Sequence, residues 1–424
     1  MLDKHAVCFL VLGLSFNLYS QDLGGITIYN TANSDIAYNK INCLEFDGEN
    51  RLWIGTEDGL SVFEQSNNNW LNFNTTATPW CSFSSNIINA LEWADNLSMM
   101  FVGTTDGITN SSEVNESLSD ESPGTGAWSP YFGSSCNPNN GVIKSLFYDN
   151  GLWSGSTDGL CIEGFAGEGG WLVQNTSTGF YSNNITSIKQ NEIDNTIAIG
   201  TMNGGLVTYD GEFEIYYSSN SNILDNTVLD VVFDQNNNII ITTVQSGLGV
   251  LTSNGSWIWL NTLNSTLPTN SLKKIVVDNN NDLWITTLEN GLVHYKNDTF
   301  YHYTTENSNL PDNKINCLTL GPDNHLWLGT DNSGIIKINT AIISNEEIGK
   351  KNTNVFPTVF DSNINIQIIQ SGTVSIINQK NQIIDIQKLS NGLNFINTIT
   401  YKPGLYFAII KSGNNITADK IIKY

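Results

Sequence analysis

Acid–base catalysis, metal ligation and nucleophilic attack each need particular side chains at particular spacings, and this sequence offers few of them. Beyond residue 20 it has three histidines, His294, His302 and His325. None is spaced from another histidine or a cysteine as metal ligands are, so they read as strand and turn residues. No nucleophile elbow, phosphate-binding loop or zinc signature occurs. Carboxylates are plentiful, but spacing singles out no acid–base pair. Asp234-Gln-Asn-Asn-Asn238 and Asp278-Asn-Asn-Asn-Asp282 look like calcium loops. The equivalent turns at Asp47 and Asp323 lack a full ligand set, so all are read as hairpin turns. The expectation is therefore no catalytic residue, no metal and no cofactor.

Binding chemistry is better represented. Trp80 and Phe83, Tyr131 and Phe132, and Phe180 and Tyr181 sit in connecting segments, with Asp58, Asp106 and Asp158 in short turns. Aromatic plates beside carboxylates suit a sugar, whose apolar ring faces stack while its hydroxyls hydrogen-bond. These nine residues are the candidate ligand contacts. The competing reading is that the aromatics merely cover strand ends.

What must position them is a repeat. Asn39-Lys-Ile-Asn-Cys-Leu44, then Leu52-Trp-Ile-Gly-Thr56 and Asp58-Gly-Leu60, returns as Asn313-Lys-Ile-Asn-Cys-Leu318, Leu326-Trp-Leu-Gly-Thr330 and Gly334-Ile335. Five weaker copies lie between, at Gly103-Thr104, Gly155-Ser156, Gly200-Thr201, Thr242-Thr243 and Thr286-Thr287. From Gly55 to Gly329 the steps are 48, 52, 45, 42, 44 and 43 residues. Four short strands per unit at this period indicate an all-β, seven-bladed β-propeller over residues 21–340. The recurring Trp53, Trp153, Trp284 and Trp327 read as packing between blades.

Each unit closes on an aromatic strand, such as Phe300-Tyr-His-Tyr303, except the seventh. Its missing strand is expected at the start, in Ile26-Thr-Ile-Tyr29, whose continuation through Asn33-Ser34 matches Asn307-Ser308 in phase. That strand would close the ring and cover the two exposed sheet edges.

Lys4 followed by an apolar run to Phe16, with Ser20 at a cleavage position, reads as a signal peptide over residues 1–20. No later segment has the length of a membrane span. Residues 21–343 carry 9 Lys+Arg against 35 Asp+Glu, which argues against nucleic acid. From residue 353 onward 6 Lys face 3 Asp, and this charge break marks a boundary: a linker over 341–353 and a small β-sandwich over 354–424. Cys43 and Cys317 share a context and read as buried strand residues, while Cys81 and Cys136 lie in comparable loops and form a possible disulfide.

Leu-Trp-Ile-Gly-Thr-Glu-Asp-Gly-Leu (52–60) resembles the two-component regulator propeller repeat, which implies a sensing or binding propeller, often for carbohydrate. The tail, opening at Val355-Phe-Pro357 and including Thr373–Asn378, Lys402–Tyr406 and Ile416–Tyr424, resembles the type A C-terminal sorting domain of type IX secretion. That resemblance implies the type IX machinery as partner and a destination, reached via the periplasm, at the outer-membrane surface or in the medium. The resulting expectation is a monomeric, non-catalytic binding protein for a glycan or protein. The alternatives are a polysaccharide-active enzyme using carboxylates near the channel mouth, and a scaffold or adhesin.

Overall fold

A computed structural model describes residues 23–76, 83, 85–111, 128–130, 141–164, 171–340, 353–356, 359–360, 362–368, 371–378, 382–412 and 415–423. The chain divides into two compact units, a large one of Asp22–Trp259 and Thr269–Ile343 and a small one that includes Ser344–Tyr424. Beyond the 3-10 turn Asp95–Leu97, the elements within the described residues are β-strands.

The large unit holds seven four-stranded antiparallel sheets. Their first strands are Ile41–Phe46, Ile88–Ala94, Ile143–Tyr148, Ile185–Gln190, Val228–Phe233, Leu272–Val277 and Ile315–Leu320. Each lies beside the first strand of the next sheet, and the last lies beside the first. Sheets radiating from a closed ring of inner strands make a β-propeller. Its final sheet takes its fourth strand from the other end of the unit. Ile26–Tyr29 pairs antiparallel with Ile335–Ile338 in the register Ile26↔Ile338, Tyr29↔Ile335, the expected closure.

The repeated Gly-Thr step has two separate physical causes. The hydroxyl of Thr56, Thr104, Ser156, Thr201, Thr243, Thr287 or Thr330 donates to the carbonyl of the turn glycine that follows it, at 2.8–3.2 Å. All seven are buried, so an apolar replacement would strand a carbonyl. The preceding glycine makes room for the next sheet. A Cβ on Gly103, Gly155 or Gly329 would lie 2.5 Å from Cγ2 of Ile143, Ile185 or Ile41 respectively. The contact between Gly329 and Ile41 is the one that joins the last sheet to the first.

Asparagine dominates the connections for a local reason. Asn33, Asn220 and Asn307 each accept from a backbone N–H three residues back and donate to a carbonyl five residues back, which ties off the fourth strand. Trp53, Trp284 and Trp327 are essentially inaccessible and Trp153 is buried, so the repeated tryptophans do pack between sheets.

In the small unit a three-stranded sheet (Thr353–Phe356, Asn363–Ile368, Gly392–Asn397) and a five-stranded sheet (Val359–Phe360, Asn415–Lys423, Gly404–Ser412, Gly372–Asn378, Ile383–Leu389) share one apolar core, including Val355, Phe360, Ile366, Ile376, Ile396 and Ile410.

Tyr29 stacks on Trp327 (6.0 Å, 14°) and lies 5.0 Å from the Phe63 ring and 5.8 Å from that of Trp70, so it fastens the last sheet to the first. Tyr29→Ala is expected to cost about 3 kcal/mol in urea unfolding. Tyr38→Ala, at a side chain 47% exposed, is expected to stay within about 0.5 kcal/mol of the parent. Equal losses in the two variants would show that the joint carries no special weight.

Candidate functional site

Every inner strand carries a register shift near its start, between Ile41 and Cys43, Ile88 and Ala90, Ile143 and Ser145, Ile185 and Ser187, Val228 and Asp230, Leu272 and Ile275, and Ile315 and Cys317. A bulge re-aims side chains near the start of each inner strand. The shift is widest in the sixth sheet, where Lys273 and Lys274 both fall out of register. Thr286, standing where most copies have glycine, accepts the Lys274 N–H at 3.1 Å with its hydroxyl.

Beyond the shift, a further position on the inner strands brings non-adjacent sheets together. Lys189 of the fourth sheet interacts electrostatically with Glu45 of the first and Glu92 of the second. Side chains from non-adjacent sheets can meet only in the centre. Lys189 is solvent-exposed by area although protein surrounds it, as in a wetted channel. Four of the nine basic residues between 21 and 343 (Lys144, Lys189, Lys273, Lys274) lie on inner strands of an otherwise acidic unit.

Several of these groups stitch neighbouring sheets together. Asp230 accepts from Ser187 Oγ (2.6 Å), the Ile275 N–H (3.0 Å) and Lys274 Nζ (3.3 Å), clamping three sheets. Glu92 Oε1 accepts the Tyr148 N–H at 3.0 Å, Lys273 Nζ donates to Asn316 Oδ1 at 2.8 Å, and Asn42 Nδ2 donates to the Ile88 carbonyl at 3.0 Å. Burial, reinforced by the charge of Glu45, pushes Glu92 up to about 8. Burial likewise raises Glu45, with Lys189 opposing it. For Lys189 burial works against the charge, but Glu45, Glu92 and Asp230 outweigh it and hold its pKa above the usual value. The lumen thus holds a protonatable carboxyl, a carboxylate and an ammonium group that packing alone does not require.

The face where successive sheets connect holds the other polar features. Turn glycines donate to the connecting loop of the next sheet, as Gly59 N–H does to the Asn86 carbonyl and Gly334 N–H to that of Asn39. Asp58, Asp106 and Asp158 are exposed in these turns, and Asp58 Oδ1 accepts from Asn86 Nδ2 at 3.0 Å. Tyr181 is 52% exposed, in edge contact with Tyr217 at 4.9 Å. Phe83 and Phe180 do not serve as ligand plates. Both are buried, Phe83 in the core with Trp53 and Leu60 and Phe180 against Phe213, because each plugs the end of a seam between two sheets. Trp80, Tyr131, Phe132, Cys81 and Cys136 lie outside the described residues.

Cys43 and Cys317 are free, and Cys161 is disulfide-bonded, a pairing the sequence reading does not contain. His302 stands in the strand Thr299–Tyr303 and His325 in a turn, with His302 Nε2 2.6 Å from the Asn290 carbonyl and His325 Nδ1 2.9 Å from Asp323. His294 is packed face to face on Trp284, and burial drives its pKa down to about 3. The turns at Asp234 and Asp278 are hairpins whose Asn237 and Asn281 take left-handed backbone. The lumenal cluster escapes a linear reading because its members come from different repeats. The available signal was the drift of one strand position among Glu45, Glu92, Phe147, Lys189 and Val232 while its apolar neighbours stayed constant.

Glu92 gives the channel a pH signature. The unfolded chain releases this proton near 4.5 and the folded one near 8, so the folded state binds more protons between those values and stability falls as pH rises through the window. Glu92→Gln should remove that slope and raise the melting temperature relative to the parent on the alkaline side. Melting curves from about pH 5 to about pH 9 check this, and parallel profiles for the two proteins would refute it.

Two segments, residues 35–58 and 309–332, match the family described as Two component regulator propeller. No curated protein matches the sequence. Among solved structures, the extracellular domain of the hybrid two-component system BT3049 from B. thetaiotaomicron is similar over 94% of this chain and 57% of its own, at 15% identity and a TM-score of 0.63. PorZ, a surface component of the type IX secretion system of Porphyromonas gingivalis, is similar over 93% of this chain and 61% of its own, at 16% identity and a TM-score of 0.55. Virginiamycin B lyase from Staphylococcus aureus is similar over 74% of this chain and 99% of its own, at 10% identity and a TM-score of 0.57. The chain therefore spans less than two thirds of the first two. At these identities the likeness is one of fold: an all-β propeller carrying two-component regulator propeller repeats.

Proposed function

We propose that this protein is an exported, non-catalytic, seven-bladed β-propeller that binds an acidic glycan at the channel mouth on its loop-bearing face. The observation that carries the reading is a cluster of lysines at that mouth. Lys40 and Lys314 immediately precede the inner strands Ile41–Phe46 and Ile315–Leu320, and Lys273 senses the charges of Lys274, Asp331 and Lys40. In a unit of 9 basic and 35 acidic residues, such a gathering needs a cause, and an anionic ligand supplies one. Burial lowers the Lys273 pKa, so a bound carboxylate or sulfate would relieve an existing cost. Lys40 and Lys314 reach Glu57 and Glu289 at 3.0 and 3.3 Å, exposed pairs weak enough for a ligand to displace. Exposed Tyr38 beside Lys40, and Tyr181 with Tyr217, offer ring faces for sugar stacking.

Export rests on separate support. The Cys161 disulfide belongs in an oxidising compartment. We assign residues 1–20 as signal peptide, 341–353 as linker and 354–424 as a sorting β-sandwich for type IX secretion. The small unit leaves Ile384, Ile386, Leu393, Phe395 and Ile399 exposed, an apolar surface suited to docking. Among the described residues no helix is long and apolar enough to cross a membrane.

Glu92 favours a second reading. A carboxyl protonated up to about 8 beside Glu45 has the form of a general acid with a partner base, as a polysaccharide-active enzyme needs.

A panel of neutral and acidic glycans tests both readings. Binding should be confined to acidic members and weaken with salt, and Lys40→Ala or Lys273→Gln should each reduce affinity by about tenfold or more. Retained affinity in both variants would overturn the proposed site. Glycan turnover abolished by Glu92→Gln would replace binding with catalysis, and no response to any glycan would leave a protein-contact scaffold.

A further inference from the structure

We propose that Asp278, Asp282 and His294, in the sixth sheet, form a binding site for a divalent transition metal of the zinc class. One ligand atom from each residue lies within 4.8 Å of the other two. Asp278 and Asp282 flank the turn between the first and second strands of the sheet, and His294 stands on its third strand, opposite Trp284.

The repeat provides an internal control, because the same turn recurs with a different solution. In the first sheet Asp47 is answered four residues on by Arg51, whose Nε donates to Oδ2 at 2.6 Å, while Trp53 Nε1 donates at 2.7 Å. In the fifth sheet Asp234 is answered by Asn238, whose Nδ2 donates to Oδ2 at 2.7 Å. In the sixth sheet that position holds a second carboxylate, Asp282. The residue facing the second strand changes in step: Val62 opposite Trp53, Val250 opposite Ile240, and His294 opposite Trp284. Where the other copies place a donor against one carboxylate, this copy places two carboxylates and an imidazole. Such a set calls for a cation, and the one beside it is Lys296, whose Nζ reaches Asp282 Oδ2 alone at 3.4 Å.

His294 supplies the second, independent observation. It is 4% exposed, and its Nε2 has no hydrogen-bond partner. That atom lies 3.5 Å from Asp282 Oδ2, too long for a hydrogen bond and on the side of the carboxylates. The ring is held there by face-to-face packing on Trp284, with centroids 3.7 Å apart and planes 4° apart. Asp278 is oriented independently of any ligand. Its Oδ1 accepts the N–H groups of Asn280 (2.8 Å) and Asp282 (3.0 Å), and its Oδ2 accepts Trp284 Nε1 at 3.3 Å, leaving a lone pair free. Outer hydrogen bonds and packing that fix ligand rotamers are the supporting shell a metal site needs.

One nitrogen and two oxygens favour zinc over calcium, which takes six to eight oxygens, and leave one tetrahedral position for water. Donors about 2.0 Å from a zinc ion stand about 3.3 Å apart, so binding leaves the His294–Asp282 spacing nearly as it is and closes the widest gap by up to about 1.5 Å. It must also displace Lys296, whose Nζ lies 3.4 Å from Asp282 Oδ2 on a side chain 27% exposed and free to turn outward. Lys296 is therefore a built-in competitor.

Isothermal titration of the full chain, treated with chelator and dialysed, with zinc chloride tests the site, alongside melting curves. The expected result is one zinc per chain and a raised melting temperature. His294→Ala and Asp282→Asn should each weaken binding about 100-fold or more, while His325→Ala leaves it unchanged. Lys296→Met should tighten binding about fivefold or more by removing the competing cation. Asp282→Asn and Lys296→Met keep side-chain size, so folding loss cannot mimic these effects, and near-ultraviolet circular dichroism checks it for His294→Ala. Undiminished binding in His294→Ala, or no binding by either the parent or Lys296→Met at about 100 µM zinc, would overturn the assignment.

Discussion

A ring of sheets depends on the one joint that sequence neighbours cannot make. Six of the seven sheets in the large unit come from continuous stretches of chain, and the last needs Ile26–Tyr29 to pair with Ile335–Ile338. Closing a loop of this length costs roughly 5 kcal/mol by logarithmic scaling, and a four-residue pairing returns about 4 kcal/mol in net hydrogen bonding. Backbone pairing alone roughly breaks even. The balance is tipped by side chains: Ile41 seated over Gly329, Tyr29 lodged among Trp327, Phe63 and Trp70, and Ile26 against the core of the last sheet. The same knob-over-glycine contact recurs around the ring, so closure repeats an interface the fold already uses.

With the wall closed, the inner strands divide their work by position. Isoleucine or valine at the start and leucine, isoleucine or valine three residues later enter the seams between sheets and stay apolar in nearly every copy. Between them lies the bulge, where packing holds the residue type less strictly. There the copies diverge into asparagine, lysine, aspartate and serine, which stitch one sheet to the next, and one position beyond the second apolar residue Glu45, Glu92 and Lys189 confront one another across the channel. Confinement by protein on all sides makes charges cost more there than on the outer surface, which is why the carboxyls shift upward and the ammonium group depends on them. In the sixth sheet the bulge is wider, and its two lysines reach opposite ways, Lys273 to Asn316 of the next sheet and Lys274 to Asp230 of the one before.

Exposure decided which candidate residues remained available. Phe83 and Phe180 share the loops and the aromatic character of Tyr181, and no pattern in the sequence separates them. The seam between two sheets takes one ring and leaves the next outside, so adjacent Phe180 and Tyr181 end at 4% and 52% exposure. The histidines divide in the same way: three isolated residues in the chain become one packed ring aimed at two carboxylates, one half-buried strand residue and one turn residue. Asp278 and Asp282 were legible as a turn, and they are one. Their approach to His294, twelve residues beyond Asp282, is set by strand register.

The sequence by itself determined the repeat, its four-strand period, the Gly-Thr step and the residues that close the ring, because those features are written into every copy by the same local requirements of turn, seam and edge. It also marked the acidic charge of the large unit and the break near residue 345, which are sums over residues and need no geometry. Only the tertiary structure decided which side chains meet: the lumenal carboxyls and lysines, the lysine cluster at the channel mouth, and the Asp278–Asp282–His294 group. These are contacts between different strands or different copies, and their distances depend on how bulges and ring curvature turn each strand, a quantity that linear spacing does not carry.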